Sequence, residues 1–512
     1  MKSLIYMKST FIKGLGLTIL LFTIEVVYNS CKKSDLDLLP HGPTEASYFA
    51  QQSDFQKAVI GIYAKFNDFY WYDGFDGYGG VASGGNMVLL PGDDITTSDL
   101  NAFEIFGSLQ PNNGILQRFY SSCYQVIARA NVVLQKVADV APGIYTTPGL
   151  ADYNKGEALF LRGFANYYLW NYFGTAPLDT VRVTSTSQFY PSSTTGTQLL
   201  DQAIQDFTDA SALLPTSWDV SDVGRATKNA ANGMLGKALV FRGSWNKSKE
   251  DFSSALVAFN KISGVSLVPN FGDNFNANTE NNNESLFEYQ ATQAQGLDNV
   301  WLSNDFDISV GNASVYWGFY SGQNQYGQGV FVGTAKLKSA FNATDPRLPI
   351  TMDTTNGILK YITNDALDQV GVGSLNNPRL LRYADILLLE AEATLQSGGS
   401  TSAAIGFINQ VRARARAMVP AGTEPADFST TETSTTVIMQ WIMDERLREL
   451  AGEGQRWFDL RRWNTEGIIT LNNAFFSPTV PVNMNYQDKN IYFPIPSTEI
   501  DVNVNVQQNP GY

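Results

Sequence analysis

From Arg379 to Ala393 the chain reads Arg-Leu-Leu-Arg-Tyr-Ala-Asp-Ile-Leu-Leu-Leu-Glu-Ala-Glu-Ala, which is apolar around most of a helical circumference. A helix of that kind keeps no face for water, so it has to sit at the centre of an assembly that covers it from several sides. A turn at Gly398-Gly399 leads into a returning helix over Ala403–Ala415. Further on, the block from Asp444 to Trp463 interleaves Arg446, Arg448, Glu449, Glu453, Arg456, Asp459, Arg461 and Arg462 with large aromatics. Acids and bases three and four residues apart are placed for reciprocal ion pairs that lock helices, rather than for capturing an anion. Arg412, Arg414 and Arg416 read as a solvated or partner-facing edge.

Earlier segments carry the same periodicity. Within 157–173, Leu159, Gly163, Tyr167 and Trp170 fall three and four residues apart, and similar stripes occur at 115–138, 198–214, 228–243 and 251–262. Small residues stand where two helices would touch: Ala230, Gly233, Gly236 and Ala238 in one, then Ala255 and Ala258 beside Phe259 in the next. The pattern resembles tetratricopeptide-type helical hairpins, although no strict 34-residue period is present. Cys123 lies in one of these stripes and reads as a small buried residue.

Composition removes several functions. With 44% hydrophobic residues in 512 the chain can bury a large core, while charged residues reach only 16%, so the surface is polar but mostly uncharged. The net charge of −14 leaves no basic patch dense enough for nucleic acid. One histidine, His41, excludes a two-imidazole zinc site, and two cysteines exclude thiolate clusters and disulfide frameworks. Gly79–Asn86 is glycine-rich but lacks the Gly-Lys-Ser/Thr ending of a phosphate loop and reads as a flexible surface loop. Asp93-Asp94-Ile-Thr-Thr lacks the oxygen spacing of a calcium loop. No cofactor or metal is expected, and nothing singles out a catalytic pair of carboxylates.

The first thirty residues are of another kind. Lys2, Lys8 and Lys13 precede the apolar run Leu15–Ile24, which is too short to span a bilayer and suits a secretory signal; Met7 is an alternative start. A lone Cys31 follows Ser30 and precedes the polar stretch Lys32-Lys33-Ser34-Asp35-Leu36-Asp37. This arrangement looks like a lipoprotein cleavage site with Cys31 acylated, the alternative being an ordinary signal with an incidental cysteine. The expected organisation is a signal at 1–30, a lipidated tether at 31–45 and one globular unit over 46–512, with a helical half at about 46–265 and a second part at about 266–512.

The C-terminal blocks, with Tyr492-Phe-Pro-Ile-Pro-Ser-Thr-Glu-Ile-Asp501 and the closing Gln508-Asn-Pro-Gly-Tyr512, closely resemble the RagB/SusD family of Bacteroidetes outer-membrane nutrient-binding lipoproteins. The resemblance covers most of the chain. It implies a mostly α fold, with four tetratricopeptide-like hairpins as scaffold and long irregular loops as the ligand face. It also implies a lipid anchor at the cell surface over a SusC-like TonB-dependent transporter, to which oligosaccharides are delivered, and no enzymatic activity. Peptides or another nutrient bound by the same architecture are the alternative; a glycoside hydrolase is a distant one.

Sugar recognition needs flat aromatic faces for the CH surface of a pyranose ring and planar amides for its hydroxyls. Two aromatic stretches supply them. The first, Asp68–Tyr78, contributes Trp71, Tyr72 and Tyr78, while Phe69 goes to packing; the second contributes Trp301, Tyr316, Trp317, Tyr320 and Asn324. Asn101 and Phe103 are further candidates.

Overall fold

The computed structural model describes residues 48–69, 72–76, 80–97, 101–291, 331–361, 376–477 and 484–512. The chain divides into a unit over Met1–Asp54 and a unit over Phe55–Tyr512. In the first, Asp54 accepts hydrogen bonds from the backbone N–H groups of Ala50 and Gln51 where helix α1 (Gln52–Ala64) begins.

Among the described residues, the second unit is built on nine further long helices: α2 (Gly114–Ala138), α3 (Leu150–Phe173), α4 (Gln198–Leu213), α5 (Lys228–Asn246), α6 (Lys249–Phe259), α7 (Tyr383–Gln396), α8 (Thr401–Ala417), α9 (Thr435–Leu450) and α10 (Arg456–Glu466). Many start where a side-chain oxygen satisfies free N–H groups of the first turn: Asn113 for α2, Thr227 for α5, Ser248 for α6, Ser400 for α8 and Ser434 for α9. Sequential neighbours pack in pairs, α2 on α3, α3 on α4, α5 on α6 and α7 on α8. The hairpin scaffold expected from the periodicity is therefore present.

Glycines set the closest approaches. A β-carbon at Gly236 of α5 would lie 2.2 Å from the Phe259 ring of α6, and one at Gly163 of α3 would lie 3.0 Å from Phe207 of α4. The small-residue stripe is thus the contact line of a helix pair. Cys123 is buried in the core, as its stripe predicts. The apolar segment after residue 379 forms the hub, with α7 packed against α5, α6, α8 and α9. Leu387, Leu388, Leu389 and Ala391 are all buried there, each large side chain contributing about 1.5–3 kcal/mol by leaving water.

Among the described residues, the strands form three two-stranded antiparallel ladders: β1 (Tyr72–Asp76) with β2 (Gly80–Ser83), β3 (Ile95–Thr97) with β5 (Phe331–Gly333), and β4 (Ser285–Glu288) with β6 (Arg379–Arg382). Two expectations need correction. The helix read from Arg379 starts at Tyr383, because Arg379–Arg382 pairs with β4 instead. Gly79–Asn86, read as a flexible surface loop, supplies β2 and the start of a short helix over Gly84–Leu89, with Asn86 and Met87 buried.

Candidate functional site

The described structure fixes where the second aromatic stretch leaves and rejoins the scaffold. It leaves after Ala291, whose backbone N–H donates to Asn377 Oδ1 at 2.7 Å, at the end of the β4–β6 ladder. It returns through β5, held against β3 with Ile95 opposite Gly333. Trp301, Tyr316, Trp317, Tyr320 and Asn324 fall between these points and lie outside the described residues, as do Trp71 and Tyr78. Tyr72 opens β1, opposite Ser83 of β2. Phe103 is placed otherwise than expected. Phe103 is 1% exposed, its ring 5.7 Å from that of Phe493, so it belongs to the core and has no face for a ligand. Asn101 caps a short helix, its Oδ1 accepting from the Phe103 N–H at 3.0 Å. Phe69 is buried, as its assignment to packing requires.

The β3–β5 anchor rests on buried charge. Asp93 accepts from Arg456 and Lys336; burial alone would raise its carboxyl, but these two cations bring it down to about 2. Beside it, burial and the Asp93 charge push Asp94 up to about 6, and Asp94 Oδ1 has no hydrogen bond among the described residues. Arg456 and Lys336 thus occupy the ground on which a cation would have to sit. Glu104 is buried, accepts from the Thr96 hydroxyl and from the Thr97 N–H at 3.4 Å, and is pushed by burial to about 7. Both strands of the anchor are therefore tied to the helical body.

The Arg/Glu block is a buried lattice. Glu449 receives Arg347 at 2.9 Å and Arg382 at 2.7 Å, and also Arg414; Glu445 receives Arg347, Arg412 and Arg448 at 2.6–2.8 Å. Glu453 bridges Arg382 and Lys360, and Arg446 spans Asp385 and Asp459. Burial would raise Glu449, yet Arg414, Arg382 and Arg347 hold it well below the usual carboxylate range. Arg412 and Arg414, at 8% and 7% exposure, are not a solvated edge: they pair with Glu445, Glu284 and Glu449. Only Arg416 of the three keeps to the periphery, with Asp427 at 2.8 Å. Every carboxylate of this set is engaged by cations, so the block holds the fold together, while buried Arg461 donates instead to the Asn171 backbone carbonyl.

Two cavities flank the loop over 221–225. One, of about 270 Å³, is lined mainly by Ile60, Tyr63, Phe66, Phe287 and Tyr289. The other, of about 300 Å³, has Trp218, Asn229, Asn281, Asn283 and Ser285 in its wall. Gly224 (φ +95°) lies so close to Gln290 that a β-carbon would meet it at 2.3 Å, which pins the loop between the two. Neither cavity was foreseen from sequence; the available signals were Trp218 beside Thr216-Ser217 and the Asn281-Asn282-Asn283 run.

With this geometry in view, comparison with known proteins is informative. The family model described as "SusD family" matches residues 312–512, and one described as "Starch-binding associating with outer membrane" matches 93–239. The chain is thus similar to the RagB/SusD family in both its helical half and its C-terminal part. Among SusD-like relatives, SusD-like protein P2 of Formosa agariphila is 26% identical, with 94% of this chain and 96% of that protein covered. Starch-binding protein SusD of Bacteroides thetaiotaomicron is 24% identical over 99% of this chain and 100% of its own length. Among solved structures, surface glycan-binding protein A from Bacteroides fluxus superposes with a TM-score of 0.71 at 19% identity, covering 90% of this chain and all of that one. The SusD-type helical architecture is thus shared along nearly the whole chain.

Proposed function

We propose that the protein captures oligosaccharides at the cell surface, held to the outer membrane by a lipid on Cys31, and passes them without chemical change to a SusC-like TonB-dependent transporter. The observation that carries this reading is the end-to-end similarity to starch-binding SusD, which extends through both the helical half and the C-terminal blocks. The physical division of labour supports it. A scaffold locked by buried ion pairs fixes where the second aromatic stretch leaves and rejoins it, and composition assigns Trp71, Tyr72, Tyr78, Trp301, Tyr316, Trp317, Tyr320 and Asn324 to stacking and hydroxyl recognition. A wet, hydroxyl-rich contact is weak, and a transporter beside a tethered binder tolerates weak capture through effective concentration. The test is affinity electrophoresis of the purified protein through gels containing soluble polysaccharides, with membrane co-isolation of a TonB-dependent transporter. Retardation by at least one polysaccharide together with co-isolation of the transporter is expected; unretarded migration in all of them would overturn the reading.

A further inference from the structure

We propose that the cavity bounded by Trp218, Asn281, Asn283 and Ser285 is a second sugar subsite, separate from the aromatic loops, that takes one neutral pyranose unit. The inference rests on the glycan-binding reading above and adds a place and a ligand class to it.

The chemistry of the wall selects the ligand. Two charged side chains reach it, Arg225 and Glu288, and both are neutralised from within the protein. Arg225 donates to Glu157 at 2.6 and 2.7 Å and to Asp222 at 2.8 Å; Glu288 lies 3.2 Å from Arg379 Nε and accepts from Asn377 at 3.0 Å. An ionic ligand therefore finds no uncompensated partner. An apolar ligand is disfavoured for the opposite reason: the hydroxyls of Thr216, Ser217 and Ser285 and the Oδ1 of Asn283 line the cavity without a hydrogen bond to any described residue. Covering them with hydrocarbon would strand their polar atoms. A neutral polyol instead replaces the water they hold, group for group.

The wall is also pre-ordered. Asn281 and Gln290 exchange amide hydrogen bonds at 2.9 and 3.0 Å, and the Asn281 backbone N–H donates to Glu288 at 3.0 Å. Asn283 Nδ2 donates to Ser266 Oγ at 2.8 Å, which aims its amide while leaving the oxygen available. The Trp218 indole is fixed by its N–H bond to Ala226 O at 2.8 Å and by the Arg225 guanidinium 4.1 Å from its ring. Apolar surface comes from Trp218, Val265 and Leu286. A volume of about 300 Å³ lies at the small end for ligand cavities and suits one ring rather than a long chain.

The experiment is a calorimetric titration of the full chain with maltotriose, laminaritriose and cellotriose, read for the number of sugars bound per chain. Asn283→Asp adds charge at constant shape and Ser285→Phe fills the space; thermal melting confirms that each is folded, and Thr216→Tyr blocks from the exposed lip should Ser285→Phe fail to fold. The expected result is two sites for at least one trisaccharide in the wild type and one site in the blocked variants. A single wild-type site, or two sites kept in Asn283→Asp and in the folded blocking variant, overturns the subsite and leaves the glycan reading standing. No binding of any neutral oligosaccharide overturns both.

Discussion

Replacing Glu449 with Gln removes one charge from the centre of the buried lattice while keeping the shape. Around this point six cations, Arg347, Lys360, Arg382, Arg412, Arg414 and Arg448, face five carboxylates, Glu284, Asp345, Glu445, Glu449 and Glu453. Without Glu449 the three arginines that touch it keep other partners: Arg347 has Asp345 and Glu445, Arg382 has Glu284 and Glu453, and Arg414 has Glu284. Removing one member of a buried pair costs about 3–5 kcal/mol, and the surviving partners place this change at about 3. Urea unfolding followed by far-ultraviolet circular dichroism should show that loss, whereas Asp209→Asn on the exposed side of α4 should change stability by less than about 0.5 kcal/mol. The lattice also fixes the acid limb. Arg347, Arg448 and Arg412 overcome the effect of burial and bring Glu445 down to about 2, from an ordinary 4.5, so its contribution is full above 4.5 and is lost as the pH falls toward 2. An unshifted unfolding midpoint for Glu449→Gln, or normal stability with lost ligand binding, would refute the structural role of the block.

Gly236→Ala should destabilise the protein by about 1–3 kcal/mol in thermal or urea unfolding, since its methyl would stand 2.2 Å from the Phe259 ring and force α5 and α6 apart. Because burial raises Glu104 from 4.5 to about 7, its native form holds the proton more tightly than the unfolded chain does, so its contribution weakens stability as pH rises through that interval; Glu104→Gln should flatten the slope, measured as melting temperature against pH. Cys31→Ala should move the protein from the outer-membrane fraction to the soluble fraction, and recovery in the membrane at wild-type amount would exclude the lipid anchor.

The long helices were legible because each has to bury a stripe, and the stripe is local: the pattern read at 198–214 is helix Gln198–Leu213, and that at 228–243 lies within Lys228–Asn246. What escaped depends on partners remote in sequence. Arg379–Arg382 carries the apolar content of the following helix, and only Ser285–Glu288 makes it a strand. Arg412 and Arg414 look like solvent residues until Glu284, Glu445 and Glu449 are brought to them. Phe103 had the composition of a binding residue but is claimed by Phe493 nearly four hundred positions later. The aromatic stretches were identified by composition and the chemistry of sugars, not by periodicity. The cavity beside Trp218 is assembled from residues of 216–229 and 281–288 with Val265 between them, and none of these stretches carries a motif.

The central claim, capture of glycans by the two aromatic stretches, is tested most directly by calorimetry of the purified chain against a panel of oligosaccharides and peptides. The wild type is compared with a variant carrying Ala at Trp71, Tyr72, Trp317 and Tyr320. The account predicts a dissociation constant in the micromolar to millimolar range, roughly −4 to −8 kcal/mol, for at least one oligosaccharide. It also predicts a loss of about 1–3 kcal/mol or more in the variant with the circular dichroism of the helical scaffold unchanged. Binding of peptides but of no sugar, or undiminished sugar binding by the four-fold variant, would contradict it.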